Sequence, residues 1–263
     1  MIEVDNDKEF FRYKYLPFGS DKLSLNVIKE GTIKFTCPKD FNDPFDCQPV
    51  SIVIDDVKNS SLYRRTMPKL NLSPAKRLTQ ENRAATAMKS NVRTGKLQDS
   101  VMAILGVLSL SKTYNNILMW SHYAEYHKGF VVGFRYEMTE LVDTHSPYDL
   151  PVLPVNYSKQ RKSLNYFVDE REYDVYGALL TKGDDWKYEE EVRVLDLSRG
   201  PGIHNYNRSK RLHCVIAGAR IDQENLSLLK KAVKQASKDL GRKIHLYQAR
   251  LSSENFSIEI HKG

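Results

Sequence analysis

The chain has 263 residues, 41% hydrophobic and 28% charged, with a formal net charge of +7. That length and balance suit a globular protein that buries its core without disulfides or a structural metal, as one domain with room for an insertion. With 15 tyrosines and 10 phenylalanines it is no disordered tail, and its longest apolar run, Val101–Leu110, is strand-sized rather than membrane-spanning.

The opening MIEVDNDKEF is acidic and polar, unlike a secretory signal, so a cytoplasmic protein without membrane attachment is expected. Phe11–Phe18 reads as a first strand. Ser20 then caps a short helix carrying Leu23, Val27 and Ile28 that ends at Gly31. TIKFT alternates as a strand. CPKDFNDPFD follows as a turn-rich string around Asn42-Asp43-Pro44, and Val50–Ile54 as another strand. Ser73-Pro74 opens a helix whose thin apolar stripe is Leu78, Ala85, Met88 and Val92. Val101–Leu110 reads as an apolar strand, and Ile117–Lys128 as a helix capped by Asn115 or Asn116 and closed by Gly129. Phe130–Phe134 and Val152–Tyr157 follow as strands, Asp169–Lys182 as a helix, and Glu190–Leu197 and Leu212–Ala217 as strands. The helix Asp222–Leu240 has the plainest periodicity, with Leu226, Leu229, Val233, Ala236 and Leu240 on one face. Lys243–Leu251 and Phe256–Ile260 finish the chain as strands. No steady βαβ rhythm and no glycine-rich phosphate loop appears. The expected fold is α+β: a mixed, mainly antiparallel split β-sheet with flanking helices, as a single domain over 1–263. A basic helical insertion is expected at about 55–100.

That insertion holds most of the charge. From Asp55 to Ser100 there are ten basic and four acidic residues, a surplus of six. Lys76, Arg77, Arg83, Lys89 and Arg93 are candidate nucleic-acid contacts. A solvated helical face fits the same pattern. Cys37, Cys47 and Cys214 are widely spaced and read as reduced thiols. The seven histidines include no metal-binding spacing, so no metal is expected.

Three groupings could carry chemistry. A strand beginning near Glu189 would set Glu189, Glu191 and Arg193 on one face and turn Val192 and Val194 into the core. Such a carboxylate pair could sit at a cleft, or on a solvent-facing edge beside its arginine. Ser109 and Ser111 share a strand face. On the next helix Trp120 and Tyr123 lie one turn apart, with His122 projecting elsewhere; this is either a stacking wall for a planar ligand or core packing. On the first strand Arg12 and Lys14 share one face, Tyr13 and Tyr15 the other.

Tyr13-Lys14-Tyr15, FNDPFD at Phe41–Asp46, MWSHYA at Met119–Ala124 followed by KGFVVGF, and W-x-Y-E-x-E-x-R at Trp186–Arg193 occur in that order. The chain thereby resembles an uncharacterised bacterial family, domain of unknown function 2971, and the segment 55–100 falls between its motifs. A more distant likeness is to ADP-ribosyltransferases of the Arg–Ser–Glu type, split-sheet domains that cleave NAD at the nicotinamide bond. That resemblance implies NAD as substrate, gripped by Arg12 or Lys14 and braced by Ser109 and Ser111. Tyr15 or Trp120 would stack on nicotinamide, with His122 and Tyr123 near the cofactor. Glu191 would stabilise the ribose cation and Glu189 would guide the acceptor. It further implies a toxin or antiphage-defence effector acting on nucleic acid or an associated target, with an antitoxin or other partner protein. The alternative is a non-catalytic module that docks nucleic acid or a partner.

Overall fold

The computed structural model describes residues 9–66, 73–139, 146–167 and 171–262. Its strands, in chain order, are β1 (Glu9–Leu16), β2 (Thr32–Phe35), β3 (Val50–Ser51), β4 (Gly106–Ser111), β5 (Phe130–Glu137), β6 (Leu153–Pro154) and β7 (Asn156–Tyr157). Then come β8 (Ser163–Leu164), β9 (Thr181–Lys182), β10 (Glu191–Asp196), β11 (Gly202–Asn205), β12 (Leu212–Ala217), β13 (His245–Leu251) and β14 (Ile258–Lys262). The chain forms two compact units, one from Met1–Phe35, Val107–Pro154 and Lys187–Gly263, the other from Thr36–Gly106 and Val155–Trp186.

The first unit is built on an eight-stranded sheet in the order β14-β13-β12-β5-β1-β4-β10-β6. The sheet is mixed and mostly antiparallel: β12 runs parallel to β13, whereas β5 is antiparallel to both β1 and β12. The fold is α+β. β12, LHCVIA, is buried along its whole length, which is why it reads as a continuous apolar run rather than an alternation. Phe130, Val132 and Phe134 join Val192, Val194 and Leu229 in the core on one face of the sheet. Phe11, Tyr13, Tyr15, Val131 and Cys214 pack with Met119 and Trp120 on the other. β5 approaches β12 closely enough that a Cβ at Gly133 would lie 2.5 Å from Cys214 Sγ, so no side chain fits there. Burial pushes the Cys214 thiol up to about 12, leaving it an inert core group. The helix Gln223–Asp239 buries Leu229, Val233 and Ala236, and Asp222 caps it by accepting from Asn225 N at 2.7 Å.

The second unit has a smaller core of Val57, Tyr63, Val92, Leu164, Tyr166 and Phe167. The helix Pro74–Arg93 packs Ala85 and Met88 against it. Lys69 and the side chains of Arg77 and Leu78 lie outside the described residues, as does Asp169, the expected start of a helix observed at Arg171–Leu179. Two parallel bridges, β3 with β8 and β7 with β9, tie the rest together.

Several boundaries differ from the expectation. The run Val101–Leu110 is divided: Lys96–Met102 is a helix, and the strand starts at Gly106. Val50–Ile54 shortens to Val50–Ser51. The helix expected to Lys128 stops at Tyr123, because Glu125, Tyr126 and His127 all take positive φ values of 51°, 55° and 69°. Ser20 caps nothing: Lys22 precedes a 3-10 turn at Leu23–Leu25, followed by the short helix Asn26–Lys29. No described helix is long and apolar enough to cross a membrane.

Candidate functional site

β1, β4 and β10 are consecutive in the sheet, so the strands carrying the first-strand cations, the serines and the carboxylates lie side by side. Tyr13 stands opposite Ser111, and directly opposed residues of an antiparallel pair share a face. Ser109 and Ser111 are therefore on the face of Tyr13 and Tyr15. Val192 and Val194 belong to the opposite core cluster, which places Glu191 and Arg193 on the serine face.

Arg12 and Lys14 lie on the other face, alternating with the tyrosines and in step with Phe10 and Leu16, which pack against the Val192 side. Arg12 sits over the Phe10 ring at 4.4 Å and donates from Nη1 to Phe11 O at 2.7 Å. Desolvation lowers its pKa, with Tyr136 and Tyr13 opposing the shift. Lys14 Nζ donates to Ser109 O at 3.0 Å, reaching the seam between β1 and β4 through the backbone rather than through the serine hydroxyl. Neither cation is on the face that bears the serines and carboxylates.

The carboxylates themselves are buried, Glu189 at 3% and Glu191 at 4% exposure. The strand begins only at Glu191. Glu189 ends the 3-10 helix Asp184–Glu189, and Glu190 between them has φ of 45°, so the strand alternation expected through Glu189 is broken. Arg193, with no exposed surface, faces Glu191 as a fork, Nε to Oε1 at 2.7 Å and Nη2 to Oε2 at 3.2 Å. The edge-strand picture of a solvated Glu–Arg pair therefore does not hold, because β6 covers β10 and the pair is enclosed.

Three contacts pin the chain on its way into β10. Ser111 Oγ donates to Glu189 O at 2.7 Å, Lys112 N to Glu190 O at 3.0 Å, and Asn116 Nδ2 to Tyr188 O at 3.1 Å. Asn116 is also the N-cap of the helix Ile117–Tyr123, accepting from Leu118 N and Met119 N. That helix delivers Tyr123, whose hydroxyl donates to Glu189 Oε1 at 2.7 Å. Nothing in the sequence marks this bond, since the partners are 66 residues apart. The serine hydroxyl and the tyrosine thus hold Glu189, while Arg193 holds Glu191.

Tyr15 and Trp120 are packed into the core on this face of the sheet rather than forming an open wall. Trp120 has no exposed surface, donates from Nε1 to Tyr114 O at 2.9 Å, and meets Tyr15 edge-on at 5.5 Å. Tyr15 donates to Thr113 O, and burial pushes its phenol well above the usual range. His122 is exposed and touches the edge of Tyr123. His127 stacks on Trp120; desolvation, and secondarily Arg220, lower its pKa. At the far end of β10, Asp196 accepts from Ser198 and Arg199. Although burial opposes it, these bonds hold its carboxyl below the ordinary value. Among the described residues no group of three or more His, Cys, Asp or Glu side chains could hold a metal.

The nucleic-acid candidates belong to the second unit. Lys76, Arg83 and Arg93 are exposed on the helix Pro74–Arg93, whereas Lys89 is half-buried and paired with Asp55 at 2.7 Å.

Residues 119–194 match the family model described as "Protein of unknown function (DUF2971)". The matched span carries Trp120, His122, Tyr123, Glu189, Glu191 and Arg193. No curated protein and no solved structure matches the chain.

Proposed function

We propose that the first unit is an NAD-consuming transferase of the ADP-ribosyltransferase type, an effector whose acceptor is nucleic acid or a nucleic-acid-associated target. The observation that carries this reading is the pair of enclosed carboxylates, Glu189 and Glu191, each held by its own donor where β4, β10 and the 117–123 helix meet. Cleavage of NAD breaks the C1′–N bond, and nicotinamide leaves with the electron pair. Positive charge then develops on the ribose, and a preorganised carboxylate stabilises it most strongly where water is excluded. In this reading Glu191 is that carboxylate, fixed in orientation by Arg193. A lone pair on the acceptor forms the new bond to C1′, and the acceptor proton passes to Glu189.

The test is incubation with labelled NAD, with and without RNA, DNA and cell extract, beside Glu191→Gln and Glu189→Gln. The glutamine at 191 still offers an oxygen to Arg193 Nε but leaves the enclosed guanidinium without its counter-charge, so circular dichroism of each variant is read beside the assay and only folded variants count. Label transfer or nicotinamide release by the unmutated chain, lost in both variants, supports the reading. Turnover that survives both substitutions, or none with any acceptor, overturns it. A second reading, a docking module for polyanions, is favoured by one observation, the exposed cations of the 74–93 helix.

A further inference from the structure

The second unit contains a cavity of about 520 Å³ lined entirely by its own residues. Residues from two of the sequence motifs that the proposed chemistry leaves unused meet there: FNDPFD contributes Asp43 and Phe45, and Trp186 comes from the head of the string whose Glu189 and Glu191 serve the first unit. Their positions follow from local structure. Asp43 Oδ1 accepts from Phe45 N at 2.9 Å, an Asx turn that leaves Phe45 65% exposed at the rim. Lys182 pairs with buried Asp46 at 3.5 Å and lies 5.0 Å from the Trp186 ring, anchoring the indole side of the cavity. The β7–β9 bridge holds the loop after Tyr157 beside the turn after Lys182.

The walls have opposite chemistry. One, on the loop after β7, carries Lys159, Arg161 and Lys162, all exposed; the guanidinium of Arg161 lies 5.7 Å from the Phe45 ring. The other carries Asp184 and Asp185 next to Trp186. Among the described residues none of these three cations and neither aspartate forms an ion pair. Charges of both signs thus face a common space without neutralising one another. A ligand that satisfies both needs an anionic group for the Lys/Arg wall and hydroxyl or amino donors for the aspartates. It also needs a planar ring to lie against Trp186 and Phe45. A cavity of this size is in the range that encloses a small organic ligand.

We infer that this cavity is a binding site for a nucleoside 5′-phosphate. The phosphate would engage Lys159, Arg161 and Lys162, the ribose hydroxyls would donate to Asp184 or Asp185, and the base would stack at Trp186 and Phe45. The inference does not depend on the NAD chemistry assigned to the first unit.

The experiment is calorimetric titration of the full chain at low ionic strength with AMP, GMP, CMP and UMP. Adenosine and inorganic phosphate serve as the two halves of the ligand. At least one nucleotide should bind saturably, about tenfold or more tighter than either half. The double variant Lys159→Ala/Arg161→Ala, altered at exposed positions, should weaken that binding by about tenfold or more, and Trp186→Ala should weaken it as well. Absence of saturable binding by all four nucleotides overturns the inference. So does inorganic phosphate binding as tightly as the nucleotide, or a double variant that binds like the unmutated chain.

Discussion

Arg193 and Glu191 lie two residues apart on one strand, fully enclosed, and their bond is bidentate. Desolvating such a pair is expensive, so its presence is weak support for stability, but removing one partner leaves a charge stranded. Arg193→Met should therefore destabilise the protein by about 3–5 kcal/mol. Adding Glu191→Leu should restore part of the loss, with a coupling of about 1–3 kcal/mol between the two positions. Urea unfolding of the two single variants and the double variant measures this. Additive losses would mean that Arg193 is held by its surroundings and not by Glu191. The same residues were visible in the sequence as a Glu-x-Glu-x-Arg string, and the side-chain period of two correctly sets Glu191 and Arg193 opposite Val192 and Val194. That period fails at Glu189 because Glu190 turns the backbone to φ of 45°, a conformation no glycine or asparagine announces there.

At the scale of elements, agreement follows how much each segment depends on its own residues. The helix Gln223–Asp239 has a local stripe, an aspartate cap and a glycine stop, and the structure ends it within a residue of the expected span at each side. β12 is a bounded apolar run and matches its expected span, Leu212–Ala217. Val101–Leu110 is apolar up to Ser109, so period cannot separate helix from strand within it; half-buried Leu97 and Val101 belong to the helix that packs the second unit. The Ile117–Tyr123 helix is short because a left-handed turn follows, and its placement depends on Asn116, which caps it and also donates to Tyr188 O. These two roles can be separated. Asn116→Ala removes both and should cost about 0.5–2 kcal/mol for the cap alone. Asn116→Asp keeps an acceptor for Leu118 N and Met119 N but offers Tyr188 O no donor. Hydrogen exchange at Met119 should accelerate in the alanine variant and stay protected in the aspartate variant, while exchange at Glu190 and Glu191 accelerates in both. Protection at Glu190 and Glu191 unchanged in the aspartate variant would show that Ser111 and Lys112 suffice to hold the entry to β10.

At the scale of the whole molecule, charge and chemistry are segregated along the sequence. The carboxylates and the Tyr123 and Arg193 side chains that hold them lie in the first unit, whereas residues 55–100 carry a surplus of six positive charges out of a net seven. The sequence made that segregation visible because charge is additive and needs no fold. Which cations are accessible required the structure: Lys89 is paired with Asp55, and Lys58 donates to Asn82, while Lys76 and Arg83, seven residues apart on one helix, share an exposed side. If this face binds a nucleic-acid backbone, each cation that neutralises a phosphate releases counterions, and the affinity falls with salt in proportion to the number of contacts. Replacing Lys76, Arg83 and Arg93 together with glutamine should then reduce the slope of log K against log salt by about 2–3 units, alike on single-stranded and duplex probes. Fluorescence anisotropy across a salt series measures the slope. Glu191→Gln serves as the control and should leave it unchanged. A slope that stays the same in the triple variant would remove the 74–93 helix from polyanion binding and leave its charges as a solvated face.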